Sequence, residues 1–188
     1  MNTPNKLTLI RIVMVPVFMA FILWDTCPHH YLIAGLLFGA AALTDMLDGR
    51  LARKNGQVTT FGKFMDPIAD KLLISGALVA FVQQGLCSAW IVIVILAREF
   101  LVTSLRLVAV GEGKVLAANM WGKVKTVTQI VAVVLVFLMQ EISYLGFMPD
   151  WFPVIAAGEG LLWLAAVTTV VSGAVYLWEN RSLVNAAK

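Results

Sequence analysis

Long apolar runs separated by short polar connections dominate this chain and narrow what it can fold into. Of its 188 residues, 60% are hydrophobic and only 13% are charged. A soluble domain carries about 25% charged residues, so the composition describes an integral membrane protein. A spanning helix takes about 20 apolar residues. The length therefore accommodates six transmembrane helices with short connections, in one membrane-embedded domain over 1–188. No low-complexity tail and no short internal repeat interrupts it.

The first predicted span runs from Leu7 to Trp24, broken only by Thr8 and Arg11, and Thr3-Pro4 supplies a helix start. A secretory signal peptide is the competing reading. The run is long for one, and no small-residue cleavage site follows. Span two covers Tyr31 to Arg53, with Gly35-x-x-x-Gly39 offering close helix packing. Span three ends near Gln84; Pro67 either kinks it or makes Asp66 its cap. Spans four and five cover Ser88 to Val110 and Gly122 to Met139. The last follows the loop Glu141 to Phe152 and ends near Trp178. Trp24, Trp90, Trp121, Trp151 and Trp178 fall near span ends, as an interfacial belt requires.

Charge then orients the helices. The fourteen Lys and Arg residues all fall on the side shared by both termini, or in the helix halves nearest it. The connections 25–30, 85–88 and 140–152 on the other side hold none. By the positive-inside rule both termini are expected in the cytoplasm. Cys27 and Cys87 then share the outer side, where two free thiols are expected. His29 and His30 lie in an outer connection without a carboxylate cluster and read as solvated residues.

Against this apolar background, Asp45, Asp48, Asp66 and Asp70 stand out. A carboxylate near the bilayer centre costs roughly 3 kcal/mol. Asp45 and Asp48 are i,i+3 and Asp66 and Asp70 are i,i+4, so each pair shares a helix face. Two such faces suit divalent cations with hard oxygen ligands, Mg²⁺ or Mn²⁺, and no His/Cys set has zinc spacing. Two cations so held could clamp a diphosphate, with Arg53 available for a phosphate. The blander account is a set of salt bridges to Arg50, Arg53, Lys63 and Lys71. It explains neither the eight-residue gap nor the small residues Gly49, Ala52 and Gly62 that leave room for a ligand.

The same residues carry a resemblance. Asp45-x-x-Asp48-Gly49-x-x-Ala52-Arg53, eight residues, then Gly62-x-x-x-Asp66-x-x-x-Asp70 resembles the signature of the CDP-alcohol phosphatidyltransferases at every fixed position. The resemblance implies two divalent metals shared by Asp45, Asp48, Asp66 and Asp70, with Asp70 as general base on the acceptor hydroxyl. Gly49, Ala52, Arg53 and Gly62 would line the site for CDP-diacylglycerol, and CMP would leave. Pro4-Asn5-x-Leu7-Thr8-x-x-Arg11 looks like the amino-terminal pattern of bacterial members and adds Asn5 and Thr8 to the CDP-binding candidates; an interfacial anchor explains it equally well. The resemblance also suggests a homodimer, and a compact chain without a transit sequence suggests a bacterial inner membrane, among membrane lipids and with no nucleic-acid partner.

Arg98 and Arg106 are eight residues apart, about 80° around a helix, hence on one side. At its depth Arg98 needs a counter-charge or a wet cavity; Glu99 is adjacent but is expected to project elsewhere. With Lys125 from the next span, these cations suit an anionic acceptor, though snorkelling basic residues are the alternative. Ala97-Arg98-Glu99-Phe100 and Gly122-Lys123-Val124-Lys125-Thr126 are similar to family members that use glycerol 3-phosphate. Relatives that use inositol phosphate, serine or another alcohol share the metal core. Outside the family, an ion-coupled transporter would be expected to show inverted repeats with broken helices, which this chain lacks. An aspartate-rich prenyltransferase would not need Gly49-x-x-Ala52-Arg53.

Overall fold

The computed structural model describes residues 3–54, 60–114, 116 and 119–181, without the side chains of 3, 4, 45–54, 60, 61 and 63. It is all-helical, with no strand among the described residues. The helices are α1 (Thr3–Ile22), α2 (His30–Lys54), α3 (Thr60–Gln83), α4 (Ala89–Gly111), α5 (Met120–Tyr144) and α6 (Val154–Glu179). Stretches of α1, α5 and α6 are long and apolar enough to cross a membrane on length and composition alone. The protein is an integral membrane protein, and its outer surface is apolar accordingly. Ile10, Leu36, Val79, Ile93, Val131 and Val167, one from each helix, point outward, over more surface than a soluble monomer leaves uncovered. The five tryptophans expected at span ends are exposed there.

The helices alternate in direction. In α1 and α3 the contacts rise together: Thr8 meets Asp66, Arg11 meets Asp70, and Gln84 just beyond α3 donates to the Ile22 carbonyl. These two helices are parallel. In α2 and α5 they run opposite, with Gly35 against Phe137 and the Leu32 N–H on Glu141. The α5–α6 pair is also antiparallel, tied from Asn119–Glu179 through Thr128–Thr168 to Gly158 against Val136. Parallel α4 and α6 meet at Arg98–Ser172 and Arg106–Tyr176. One end of the bundle therefore collects the starts of α1, α3 and α5 and the ends of α2, α4 and α6. That end carries the ionisable residues singled out in the sequence.

A chain of aromatic contacts seals the middle. Phe18 meets Phe38 edge-on at 5.8 Å, Phe38 meets Phe137 at 5.9 Å, and Phe137 meets Phe81 at 5.0 Å, joining α1, α2, α5 and α3. These spacings suit the ring quadrupoles. Glycine serves close approach at Gly35, where a Cβ would lie 3.1 Å from the Phe137 Cβ. Nothing lies within 4 Å of the corresponding point at Gly39, so only the first glycine of that pair sets a helix contact. A tighter approach is at Gly76, where a Cβ would stand 2.8 Å from Val15 Cγ1 and 3.2 Å from Met19 Sδ.

Some local expectations are corrected. α3 begins at Thr60 and passes through Pro67, so Asp66 does not cap it. Contacts to α1 at Asp66 and Asp70 hold the turns on both sides of the proline, and tertiary packing overrides local preference there. His30 is buried, with Nδ1 3.1 Å from the Cys27 carbonyl oxygen, rather than solvated. His29 is half-exposed but not free: its Nδ1 lies 2.5 Å from Glu141 Oε1. Glu141 also accepts the Leu32 N–H, so this buried carboxylate fastens the start of α2 to the end of α5. Both cysteines are free thiols. Burial, and then the negative charge of Glu159, pushes the Cys87 thiol up to about 12, so it stays protonated at neutral pH.

The glycine contacts generate a paired prediction. Gly76→Val should destabilise the protein by about 1–3 kcal/mol, the range of overpacked cores, and lower activity by parting α1 from α3. Gly39→Ala should be neutral, or stabilising by up to about 1 kcal/mol through helix propensity. Thermal midpoints of the purified variants in one detergent check both. Equal midpoints for the two variants would mean that α1 and α3 do not depend on the close approach at Gly76.

Candidate functional site

Helix α1 buries one stripe, Asn5, Thr8, Arg11, Val15, Phe18 and Ile22, at helical spacing. Its first three members are polar and the rest apolar. Because α1 and α3 run in parallel, the polar part of the stripe meets the carboxylates of α3. The Thr8 hydroxyl donates to Asp66 Oδ1 at 2.8 Å, and Arg11 Nη1 donates to Asp70 Oδ1 at 3.1 Å. Arg11 is fully buried while the Asp70 side chain is 52% exposed. The guanidinium thus holds the carboxylate from inside while its other side faces outward. Asp66 is also exposed, and Gly62, one turn earlier, is buried.

The side chains of Asp45, Asp48, Ala52 and Arg53, and the surroundings of Gly49, lie outside the described residues, as do those of Arg50 and Lys63. The backbone of residues 45–53 forms the last turns of α2, at the same bundle end as Asp66 and Asp70, and that of Lys63 lies in the first turn of α3. No cluster of three metal-ligating side chains is found among the described residues. The donors that are described fit a hard cation: two outward-facing carboxylates one helical turn apart, each steadied by a hydrogen-bond donor from α1.

A second polar group lies between α4, α5 and α6. Arg98 Nη1 donates to Glu99 Oε1 at 3.2 Å, and Lys125 Nζ donates to the same oxygen. Side-chain exposures of 10%, 17% and 10% for Arg98, Glu99 and Lys125 put this triad out of bulk solvent. Glu99 therefore does not project away, as its sequence position suggested. It is the counter-charge that Arg98 needs at this depth. Arg98 Nη2 donates to Ser172 Oγ at 2.7 Å, while its buried Nε has no hydrogen-bond partner among the described residues. Arg106 donates from Nε to the Tyr176 hydroxyl at 3.1 Å, with its guanidinium carbon 5.4 Å from the ring centroid. Lys123 is exposed and Lys125 is buried.

Lys71 links the two groups. It follows Asp70 on α3 and donates to Thr103 Oγ1 at 2.6 Å, and that hydroxyl donates to the Glu99 carbonyl oxygen at 2.8 Å. Ser172 and Tyr176 belong to no sequence motif, although polar residues at 168, 169, 172 and 176 mark one face of an otherwise apolar span. Arg11 stands out in the first apolar run, but its partner Asp70 is 59 residues away.

Comparison with known proteins follows the same lines. The family model described as CDP-alcohol phosphatidyltransferase matches residues 1–171. A Bacillus subtilis (strain 168) protein named CDP-diacylglycerol–glycerol-3-phosphate 3-phosphatidyltransferase is 47% identical over 95% of both chains. A Mycobacterium tuberculosis protein named probable phosphatidylglycerophosphate synthase is 39% identical over 94% of this chain and 80% of its own. A Rickettsia felis protein with the Bacillus protein's name is 37% identical over 93% of each chain.

The buried triad yields a stability prediction. Glu99→Gln leaves two buried cations without their shared carboxylate and should cost about 3 kcal/mol or more. Lys114→Gln, which breaks the exposed pair with Glu112, should cost less than about 1 kcal/mol. Thermal unfolding of the two variants in the same detergent gives the comparison. A Glu99→Gln midpoint as high as that of Lys114→Gln would show that Glu99 is not needed to neutralise Arg98 and Lys125.

Proposed function

Because this chain belongs to the CDP-alcohol phosphatidyltransferases, we propose that it transfers the phosphatidyl group of CDP-diacylglycerol to glycerol 3-phosphate, giving phosphatidylglycerophosphate and CMP. One observation carries the choice of a phosphorylated acceptor. Arg98, Arg106 and Lys125 contribute three positive charges on one side of the bundle and Glu99 removes one, so the group stays net positive, with Lys71 adjoining it. That balance complements a phosphate monoester dianion and leaves an uncharged alcohol or serine without a purpose for it. Inositol phosphate would satisfy the charge equally. The names of the Bacillus and Rickettsia relatives specify glycerol 3-phosphate.

The proposed reaction needs little covalent work from the protein. The acceptor hydroxyl oxygen attacks the phosphorus that bears the diacylglycerol, a new P–O bond forms, and the bond to the bridging oxygen breaks to release CMP. Asp70 takes the hydroxyl proton on its carboxylate, and Arg11 Nη1 keeps that carboxylate in one orientation. Arg98, Arg106 and Lys125 hold the acceptor phosphate, so that the hydroxyl, not the phosphate, is presented to the diphosphate. Gly49, Ala52, Arg53 and Gly62 receive the CDP moiety, with Asn5 and Thr8 on the neighbouring turns of α1.

The family is generally dependent on divalent metal. Asp45, Asp48, Asp66 and Asp70 are the residues proposed to hold two Mg²⁺ or Mn²⁺ ions, with Thr8 steadying Asp66. Bound there, the ions would neutralise charge on the diphosphate and on the departing phosphate oxygen.

We place all six helices across a bacterial inner membrane with both termini in the cytoplasm. The alternating helix directions and the concentration of Lys and Arg at one bundle end support this orientation. The carboxylates then face the compartment that supplies both CDP-linked lipid headgroups and soluble acceptor. A homodimer is the assembly that the family resemblance implies.

The test is CMP release by the detergent-purified protein with Mg²⁺ and CDP-diacylglycerol, comparing glycerol 3-phosphate, inositol 1-phosphate, serine and no acceptor. Release is expected with glycerol 3-phosphate alone, and Asp70→Asn should reduce it by about 10²–10⁴-fold. Faster release with another acceptor would overturn the acceptor assignment. Full activity in Asp70→Asn would overturn the base assignment.

A further inference from the structure

Helix α6 contributes nothing to the chemistry derived so far, yet three of its residues fit the two arginines of the acceptor site. Ser172 is fully buried, and its hydroxyl accepts from Arg98 Nη2 at 2.7 Å. At Gly173 a Cβ would stand 2.9 Å from Arg98 Cγ, so the missing side chain lets the arginine stem lie against the α6 backbone. Tyr176, 1% exposed, accepts from Arg106 Nε at 3.1 Å and presents its ring to the same guanidinium. These contacts fix the planes of two groups that recognise phosphate through a planar fork.

We propose that Ser172, Gly173 and Tyr176 are positioning residues for the acceptor phosphate, setting the orientation of the Arg98 and Arg106 guanidinium groups. The inference rests on the assignment of those arginines to the acceptor phosphate. None of the three α6 residues touches the acceptor; each acts through an arginine. The choice of partner has a chemical reason. Glu99 already takes Arg98 Nη1 and cancels one positive charge. A second carboxylate at position 172 would hold Nη2 equally well but would cancel another, and the net charge facing the phosphate would fall. A hydroxyl orients the guanidinium and leaves its charge intact. Nη1 and Nη2 each carry a second N–H beyond these single contacts, and those are the donors suited to a phosphate oxygen, while Nε is buried against α6.

The experiment measures kcat, the KM for glycerol 3-phosphate and the KM for CDP-diacylglycerol for the full-length enzyme and for Ser172→Ala, Ser172→Thr, Tyr176→Phe and Arg98→Lys. Thermal midpoints are recorded alongside. Loss of one buried charge-assisted hydrogen bond predicts a KM for glycerol 3-phosphate raised about tenfold in Ser172→Ala and about fivefold in Tyr176→Phe. The KM for CDP-diacylglycerol should stay within about twofold in both, and Ser172→Thr, which keeps the hydroxyl, should recover most of the loss. In the Arg98→Lys background, Ser172→Ala should add nothing, because the group it orients is gone. An unchanged KM for glycerol 3-phosphate in both α6 variants, with Arg98→Lys raising it, overturns the positioning role alone. Parallel loss toward both substrates with a lowered midpoint does so too, since that is the mark of packing. If Arg98→Lys leaves that KM unchanged, the acceptor assignment itself fails and takes this inference with it.

Discussion

The contact between buried Arg11 and half-exposed Asp70 is the interaction on which the rest of this architecture depends. A guanidinium taken fully out of water must be matched, or the bundle cannot form around it. Here the match is a carboxylate that is not itself buried. Asp70 can therefore satisfy Arg11 and still present a face outward. The cost of burying the cation is offset at the place where chemistry needs an oriented carboxylate. The parallel register of α1 and α3 makes this possible, and Gly76 lets the two backbones approach closely enough to fix it. Thr8 and Asp66 repeat the arrangement one turn earlier with a neutral donor.

The second polar group solves the opposite problem. Around Glu99 one carboxylate serves two cations, all three largely removed from solvent. Such a triad is poor as pure stabilisation, because hydrophobic residues of similar volume usually pack as well or better. Its retained positive charge is what a hydrophobic replacement could not supply. Lys71 and Thr103 join this group to the carboxylate helix by hydrogen bonds. The two halves of the site are thus fixed relative to each other by side chains, not only by the aromatic seam through Phe18, Phe38, Phe137 and Phe81.

Helix number, type and approximate limits could be read from the sequence because each apolar run is long and the connections are short. The pairing of Asp66 with Asp70 followed from helical spacing, and the exposed tryptophans from their place at run ends. Tertiary choices were not readable. Spacing puts Glu99 about 100° from Arg98, which argues against contact between backbone directions. It ignores the reach of two long side chains turned toward Lys125. Pro67 reads as a helix boundary from local sterics, but contacts to α1 hold the chain helical on both sides. His29 looks solvated because its partner, Glu141, is more than a hundred residues away; His30 bonds the nearby Cys27 carbonyl, a backbone group that residue types do not reveal.

Helix α6 is hard to read from sequence for a related reason. Its serine, threonines and tyrosine are neutral, so hydropathy scarcely registers them, and their meaning lies in what they face. Thr168 and Thr169 meet Thr128 and Gln129 on α5, and Ser172 and Tyr176 meet the arginines of α4. One polar face of α6 therefore fastens the helix to α5 in its middle and to the α4 cations nearer its end. A neutral hydrogen-bonding face can do both without placing a further charge in the membrane, where each unmatched charge is costly. Asn119, capping α5 and donating to Glu179 at the end of α6, closes the arrangement at the polar end of the bundle. The helix that seems most like plain hydrophobic filler is thus the one that holds the cationic wall in place.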